Sequence, residues 1–329
     1  MEYAYLGRSG LRVSRLCLGT MHFGDRTDEK ESFRIMDAAL DAGINFFDTA
    51  NFYGGSGQRG LTEEIIGKWF SLGGSRRDRV ILATKVYQPM QNDRPYDQAG
   101  PNEAPGLSAY KIRRHLEDSL QRLQTDRVEL YQMHHIDRHI TGPELWGVFD
   151  NLVQQGKILY VGSSNFAGWH LAKVQAEAEK RNSLGLVSEQ HMYSLLCRWP
   201  ELEVLPAAKH LGIGVIPYMP YDGGLLTGKP FNSQKVARRS DMAAKAEKYR
   251  EALEAYSAFC ESIGLAEIDV ALAWVLANPA VTSPIIGCRT LGHLEGSLRS
   301  LSIGLDAGMM ARLDEIFPGP GMAPEGYAW

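Results

Sequence analysis

Cysteine is scarce: four in 329 residues (Cys17, Cys197, Cys260 and Cys288), all far apart along the chain. No close pair is present to support a zinc site or a redox couple, so the pattern is that of free thiols in a reducing compartment. Long apolar runs are missing too. The longest unbroken one, Val270 to Ala277, falls far short of the roughly 18 residues that a membrane-spanning helix needs. The opening MEYAYLGRSGLRVSRLCLGT carries Arg8, Arg12 and Arg15 and lacks the apolar centre of a secretory leader. These absences predict a cytoplasmic protein with no membrane as partner. Neither sign of charge dominates, since 35 Lys plus Arg face 39 Asp plus Glu for a formal net charge of −4. That balance removes the electrostatic case for nucleic acid as a partner. Repeats and low-complexity tracts are absent, and a composition of 44% hydrophobic and 22% charged residues suits a globular chain with a large core.

What is present is alternation. Apolar β-type runs occur at Arg15 to Leu18, Asn45 to Asp48, Val80 to Lys85, Val128 to His134, Ile158 to Ser163, Val187 to Gln190, Gly214 to Tyr218 and Ser283 to Ile286. Helix-start signals lie between them: Asp28 with Glu31 three residues on, Thr62 after a Gly-rich stretch, and Thr141 with Glu144 behind Pro143. Strands separated by helical crossovers pair in parallel, and a parallel sheet needs both faces covered. A doubly wound sheet and a closed barrel both satisfy this. Eight units without a composition break favour a (β/α)8 TIM barrel, one domain over residues 1–329.

Three stretches interrupt the alternation. Gln88 to Gly106 follows the third strand, Pro220 to Ser240 follows the seventh, and Phe317 to Trp329 forms a Pro/Gly-rich tail. Loops this long in a compact domain are usually functional or disordered, and loops after barrel strands form the mouth where chemistry occurs. The first two are read as walls of one site and the tail as a flap over it. Tyr3 to Val13 reads as a β-hairpin, turning at Gly7-Arg8-Ser9-Gly10 and plugging the opposite end.

Polar residues end three of the apolar strands: Asp48 closes INFFD, Lys85 closes VILATK and His134 closes VELYQMH. With side chains alternating at period two, Asp48 shares a face with Phe46, Lys85 with Ala83 and Ile81, and His134 with Gln132 and Leu130. Tyr53 follows Asp48 closely enough to reach the same mouth. A phenol near pKa 10 exchanges protons poorly at neutral pH, and an adjacent ammonium lowers that value by roughly 1 to 3 units. Lys85 is positioned to supply the charge, Asp48 to keep the lysine protonated, and His134 to bond a substrate oxygen. The set predicts proton delivery to a developing alkoxide.

DTANFYG at Asp48 to Gly54, ATK at Ala83 to Lys85 and LYQMH at Leu130 to His134 resemble the catalytic tetrad of the aldo-keto reductases. GLRVSRLCLGTMHFG, VGSSNF at Val161 to Phe166, Gln190 with Tyr193, GVIPYMPYDGGLLTGK and PIIGCRT extend the resemblance in the same order over almost the whole chain. It implies metal-free carbonyl reduction by NADPH, with NADPH/NADP+ as cofactor and a small carbonyl compound as substrate. Tyr53 becomes the acid, Lys85 and Asp48 tune it, and His134 orients the carbonyl. Asp48 is also placed in the cofactor set with Gly19, Thr20 and Met21. Ser164, Asn165 and Gln190 are placed on the nicotinamide carboxamide and Tyr218 on its ring. Met219, Pro220, Tyr221, Gly223, Gly224 and Lys229 correspond to the loop over the pyrophosphate, with Arg238 or Arg239 closing it. Gly287, Arg289 and Thr290 take the 2′-phosphate end, where a guanidinium suits phosphate, and His293 and Ser297 the adenine end.

The chain departs from the family pattern at Met219, where serine is usual, and at Gly296 in HLEGS, where an acidic residue is usual. Arg289 keeps the preference for NADP, with NAD as the alternative. Gly55 to Gly60 spells GxGxxG but is not a dinucleotide fingerprint, because it does not directly follow a strand and the next strand ends in Lys85 instead of an acid. His134, His135 and His139 with Asp137 invite a metal reading, but adjacent strand residues face opposite ways, and His135 is read as a substrate-side residue at the mouth. Arg94, Tyr96, Asp97 and Asn102 make a polar wall suited to a hydroxylated carbonyl. A second function remains open, because the sequence also resembles the NADPH-binding β subunits of voltage-gated potassium channels, regulators with little turnover. Homo-oligomerisation is left open as well.

Overall fold

A computed structural model describes residues 1–55, 57–90, 98–228 and 240–328. The hairpin strands β1 (Tyr3–Tyr5) and β2 (Arg12–Ser14) pair antiparallel. Eight strands follow: β3 (Cys17–Gly19), β4 (Phe46–Asp48), β5 (Ile81–Val86), β6 (Val128–Met133), β7 (Ile158–Ser164), β8 (Leu186–Gln190), β9 (Gly214–Val215) and β10 (Ile285–Ile286). All are parallel in the order β10-β3-β4-β5-β6-β7-β8-β9. The ends of this order meet, since Val215 bridges Val281 and the Ile285 N–H donates to the Pro217 carbonyl at 2.7 Å. The fold is the expected (β/α)8 barrel.

The helices are α1 (Glu29–Asp41), α2 (Leu61–Ser71), the single turn α3 (Arg76–Arg79), α4 (Ala109–Leu123), α5 (Gly142–Gln154), α6 (Gly168–Glu179) and α7 (Val204–Leu211). They continue as α8 (Ser240–Lys248), α9 (Arg250–Ser262), α10 (Glu267–Ala277), α11 (Leu291–Arg299), α12 (Ala307–Ile316) and α13 (Glu325–Ala328). Asp28 and Thr141 cap α1 and α5 as their spacing predicts, each accepting from the N–H three residues on. Thr62 does not open α2. Gly60, at φ 94°, is the cap, and the Thr62 hydroxyl donates to the Phe23 carbonyl.

Period two sorts the strand residues. Cys17, Phe46, Ala83, Leu130, Val187, Ile216 and Ile285 point inward and pack with Leu6 and Val13 of the hairpin. Leu18, Phe47, Leu82 and Tyr131 point outward into the larger core under the helices. The hairpin closes the barrel floor as expected, and Gly7 is required there. Its φ is 56° and a Cβ would lie 2.4 Å from the Val187 carbonyl oxygen. The last two predicted strands are shorter in the structure, because Pro217 and Pro284 carry no N–H to continue a ladder.

Candidate active site

Asp48, Lys85 and the backbone preceding His134 arrive at the barrel mouth because β4, β5 and β6 end there. Asp48 and Lys85 are 3% and 0% exposed, which makes their partners decisive. The Lys85 ammonium donates to Asp48 Oδ1 at 2.5 Å, to the Thr49 carbonyl at 2.9 Å and to the Tyr53 hydroxyl at 3.3 Å. Asp48 Oδ2 accepts from Gln132 Nε2 at 2.9 Å and from Gln190 Nε2 at 2.8 Å. Burial alone would push Lys85 down, but Asp48 and Tyr53 together raise it above the usual lysine value, and it stays charged.

Tyr53 differs from expectation in one respect. Burial raises its phenol above 10, and the lowering by Lys85, although present, does not overcome burial with Asp48 acting alongside it. Tyr53 is therefore a phenol throughout the neutral range. The His134 ring lies edge-on to the Tyr53 ring with centroids 5.9 Å apart. Burial first, then Lys85 and His135, hold His134 well below the usual imidazole value, so it is neutral. Its Nδ1 is buried without a hydrogen-bond partner among the described residues.

Beside this cluster the chain turns sharply after β7. Asn165 adopts φ 59° and its side chain links three segments, with Nδ2 donating to the His134 carbonyl at 3.1 Å and to the Ser164 hydroxyl at 3.0 Å. Its Oδ1 accepts from the Tyr218 hydroxyl at 2.8 Å. Ser164 in turn donates to the Gln190 carbonyl at 2.8 Å. Glu189 braces the turn from behind, accepting from the Ser163 hydroxyl at 2.5 Å and from the Phe166 N–H at 2.9 Å. Burial raises this carboxyl to about 8 despite those donors.

Thr20 is buried against β4, its N–H and hydroxyl both donating to the Asp48 carbonyl at 3.0 and 2.9 Å, while Met21 is exposed beside it. Gly19 admits the Ile285 side chain, which a Cβ would meet at 2.5 Å. After β9, Met219, Asp222, Gly223 and Gly224 all have positive φ, with Pro220 buried between the first two. Asp222 is fixed there by two bonds from the Lys245 ammonium, both 2.8 Å, and one from the Ser194 hydroxyl at 3.1 Å. A last group gathers at the start of α11. The Tyr221 and Ser297 hydroxyls lie 3.0 Å apart, Ser297 donates to the His293 carbonyl at 3.0 Å, and the Arg289 N–H donates to His293 Nδ1 at 3.3 Å. Thr290 caps α11, and Gly287 is exposed next to it. Lys229, Arg238, Arg239, Arg94, Tyr96 and Asp97 lie outside the described residues, as do Ser56 and Trp329.

Sequence reasoning placed Gln132 on the His134 face but did not assign it the bond to Asp48 that it makes. It also overlooked the buried chain Asn51–His115–Glu103, joined at 3.0 and 3.3 Å, which ties the loop after β4 to α4 and to the loop after β5. The tail contacts the mouth's edge, the Ala323 N–H donating to the Leu202 carbonyl at 2.7 Å.

Residues 15–317 match the aldo/keto reductase family, and with this fold the protein belongs to that family. It is an oxidoreductase by that membership and by its relatives. It is similar to "Uncharacterized oxidoreductase YrpG" of Bacillus subtilis, 60% identical over the full length of both chains. It is also similar to "Protein tas" of Escherichia coli, 31% identical over 96% of this chain and 97% of the other. Versiconal hemiacetal acetate reductase of Aspergillus parasiticus is 28% identical over 95% of this chain and 96% of its own. Among the described residues no helix is long and apolar enough to cross a membrane.

Proposed function

We propose that the protein reduces an aldehyde or ketone to the alcohol, with NADPH as the reductant and Tyr53 as the proton donor. The observation that carries this reading is the buried ammonium of Lys85, bonded at once to Asp48 and to the Tyr53 hydroxyl. The residues fit a dinucleotide phosphate. Arg289 is half-buried and makes no ion pair with any described residue, as a phosphate-binding cation requires. Gln190 spends its amino group on Asp48 and leaves its carbonyl oxygen without a donor among the described residues, suited to accept from a carboxamide. Ser164, Asn165 and Gln190 would hold the nicotinamide and Tyr218 its ring. Met219 to Gly224 would cross the pyrophosphate, and Arg289 and Thr290 would take the 2′-phosphate.

When bound, the reduced nicotinamide supplies a hydride to the carbonyl carbon. The chain's own contribution is the proton and its placement. Tyr53, a phenol at neutral pH, gives its hydroxyl proton to the carbonyl oxygen as the alkoxide develops. Lys85 stabilises the phenolate left behind, and Asp48 holds Lys85 charged and aimed. Neutral His134 donates to the same oxygen without competing for the proton.

Steady-state NADPH oxidation over a panel of aldehydes tests this reading. Multiple turnovers support a reductase, while tight NADPH binding with a single turnover would point to a sensor resembling the channel β subunits. Tyr53→Phe should lower kcat by several orders of magnitude and leave NADPH affinity within a few-fold, because it removes a proton and no cofactor contact. Activity retained within tenfold would defeat the assignment.

A further inference from the structure

Beside Asn165, on the His134 side of the mouth, lies a cavity of about 380 Å³ lined by His135, Arg138, His170, His191, Trp199 and Glu203 among others. The Arg138 guanidinium is exposed and makes no ion pair with a described residue. The carboxylates around it hold bonds elsewhere, and none pairs with Arg138. Asp137 accepts the N–H groups of Leu107 at 2.8 Å and His139 at 2.9 Å, Glu203 accepts from the Gly168 N–H at 3.2 Å, and Glu177 pairs with Lys180 at 2.9 Å. A second cation with no ion pair to a described residue, Lys173, borders the adjoining hollow that Arg138 and His170 also line.

His170 adds an independent observation. Its Nδ1 accepts from the Ala167 N–H at 3.2 Å, so its hydrogen sits on Nε2. That nitrogen is buried and bonded to no described residue, in a residue only 3% exposed. A buried donor without an acceptor is costly. Arg138 and Lys173 border it with no ion pair to a described residue; burial first and then Arg138 disfavour a positive charge on the ring, while Glu203 favours one. Asp137, Glu177 and Glu203 keep negative charge nearby, but none of them lies within ion-pair distance of Arg138. On the rim stands Trp199, 71% exposed, a large ring surface open to a planar group.

We propose that this cavity receives an anionic group of the substrate, and that Arg138 makes the protein prefer carbonyl compounds carrying a carboxylate on a flat ring over uncharged ones. The planar guanidinium matches a carboxylate through two parallel bonds, and Trp199 supports the ring that carries it. This assignment rests on the carbonyl-reductase reading for its reaction but not for its ligand.

The test has two readouts. In turnover, wild-type kcat/KM for para-carboxybenzaldehyde should exceed that for benzaldehyde at least tenfold. Arg138→Ala should lower that ratio roughly tenfold or more, the usual reach of one charge-assisted contact, and Arg138→Lys should restore part of it. In calorimetry without turnover, benzoate should bind the wild type more tightly than benzamide, and Arg138→Ala should remove the difference. No preference in the wild type, or a ratio unchanged in Arg138→Ala, overturns the assignment. The two readings fail separately: reduction of both aldehydes without charge preference sinks the anion subsite alone, whereas Arg138-dependent benzoate binding without turnover of any aldehyde sinks the reductase alone.

Discussion

Replacing Lys85 by methionine removes one buried charge and leaves another. The ammonium reaches Asp48, the Thr49 carbonyl and Tyr53 from a fully buried position, so solvent screening does not soften the loss. Deleting one partner of a buried pair costs about 3 to 5 kcal/mol. Asp48 keeps the amide donors of Gln132 and Gln190, which places the cost toward the lower end. A chain of 329 residues has an unfolding entropy of about 0.7 kcal/mol/K, so ~3 kcal/mol lowers Tm by about 4 °C. The phenol responds in the opposite sense from the stability. Burial and Asp48 raise the Tyr53 pKa and Lys85 lowers it, so removing Lys85 raises it further, by roughly 1 to 3 units. Alcohol oxidation needs the phenolate, and its rising limb should move to higher pH by that amount. Single-turnover nicotinamide absorbance resolves this from product release. Adding Asp48→Asn should recover much of the lost Tm without recovering the rate. If Lys85→Met keeps the wild-type pH profile and chemical rate, the account of Tyr53 is wrong.

Three further outcomes are expected. Arg289→Ala should weaken NADPH binding by roughly 10-fold to 150-fold and leave NADH nearly unaffected, as titrations of both dinucleotides would reveal; equal losses would assign the residue to the fold. Glu189 is held by burial at about 8, above its unfolded value of roughly 4.3, so the stability it contributes is complete below the unfolded value and lost as pH rises through about 8. Glu189→Gln should therefore gain Tm relative to the wild type, by a few degrees, between about pH 5 and pH 8, and parallel Tm curves would contradict this. In α2, a Cβ on Gly67 would fall 2.1 Å from the Arg122 carbonyl oxygen of α4, so Gly67→Ala should cost about 1 to 3 kcal/mol, read from denaturant unfolding, unless the helices separate freely.

The mouth was legible because Asp48, Lys85 and His134 break apolar runs at the ends of strands, and period two then fixes which way each faces. The hairpin was legible through Gly7 and Gly10. Burial was not. The sequence places an ammonium near Tyr53 and suggests a lowered phenol, but the enclosure that outweighs the ammonium comes from the fold around the ring. Lys111 makes the same point. It stands in the first turn of α4, is 1% exposed, and its ammonium donates to the carbonyls of Tyr87, Glu103 and Ala104, at 2.6, 3.1 and 2.8 Å. It thereby fastens both ends of the loop after β5. Such partners meet only through tertiary structure, and no local spacing announces them.

The floor of the barrel ties the start of the chain to its far end. Arg8 donates its N–H to the Gly212 carbonyl, and the Arg15 guanidinium reaches the carbonyls of Leu276, Val281 and Thr282. The Ser283 hydroxyl donates to the Ser14 carbonyl, 269 positions away in sequence. The hairpin meets early partners in Gly43 and Asn45, but its anchoring through Arg15 and Ser14 waits for the segment from Leu276 to Ser283. Contacts of that separation close late and slow folding. A chain that stops short of Ser283 lacks its last strand and the bond that fixes the hairpin to it, so the end opposite the mouth is left only partly anchored.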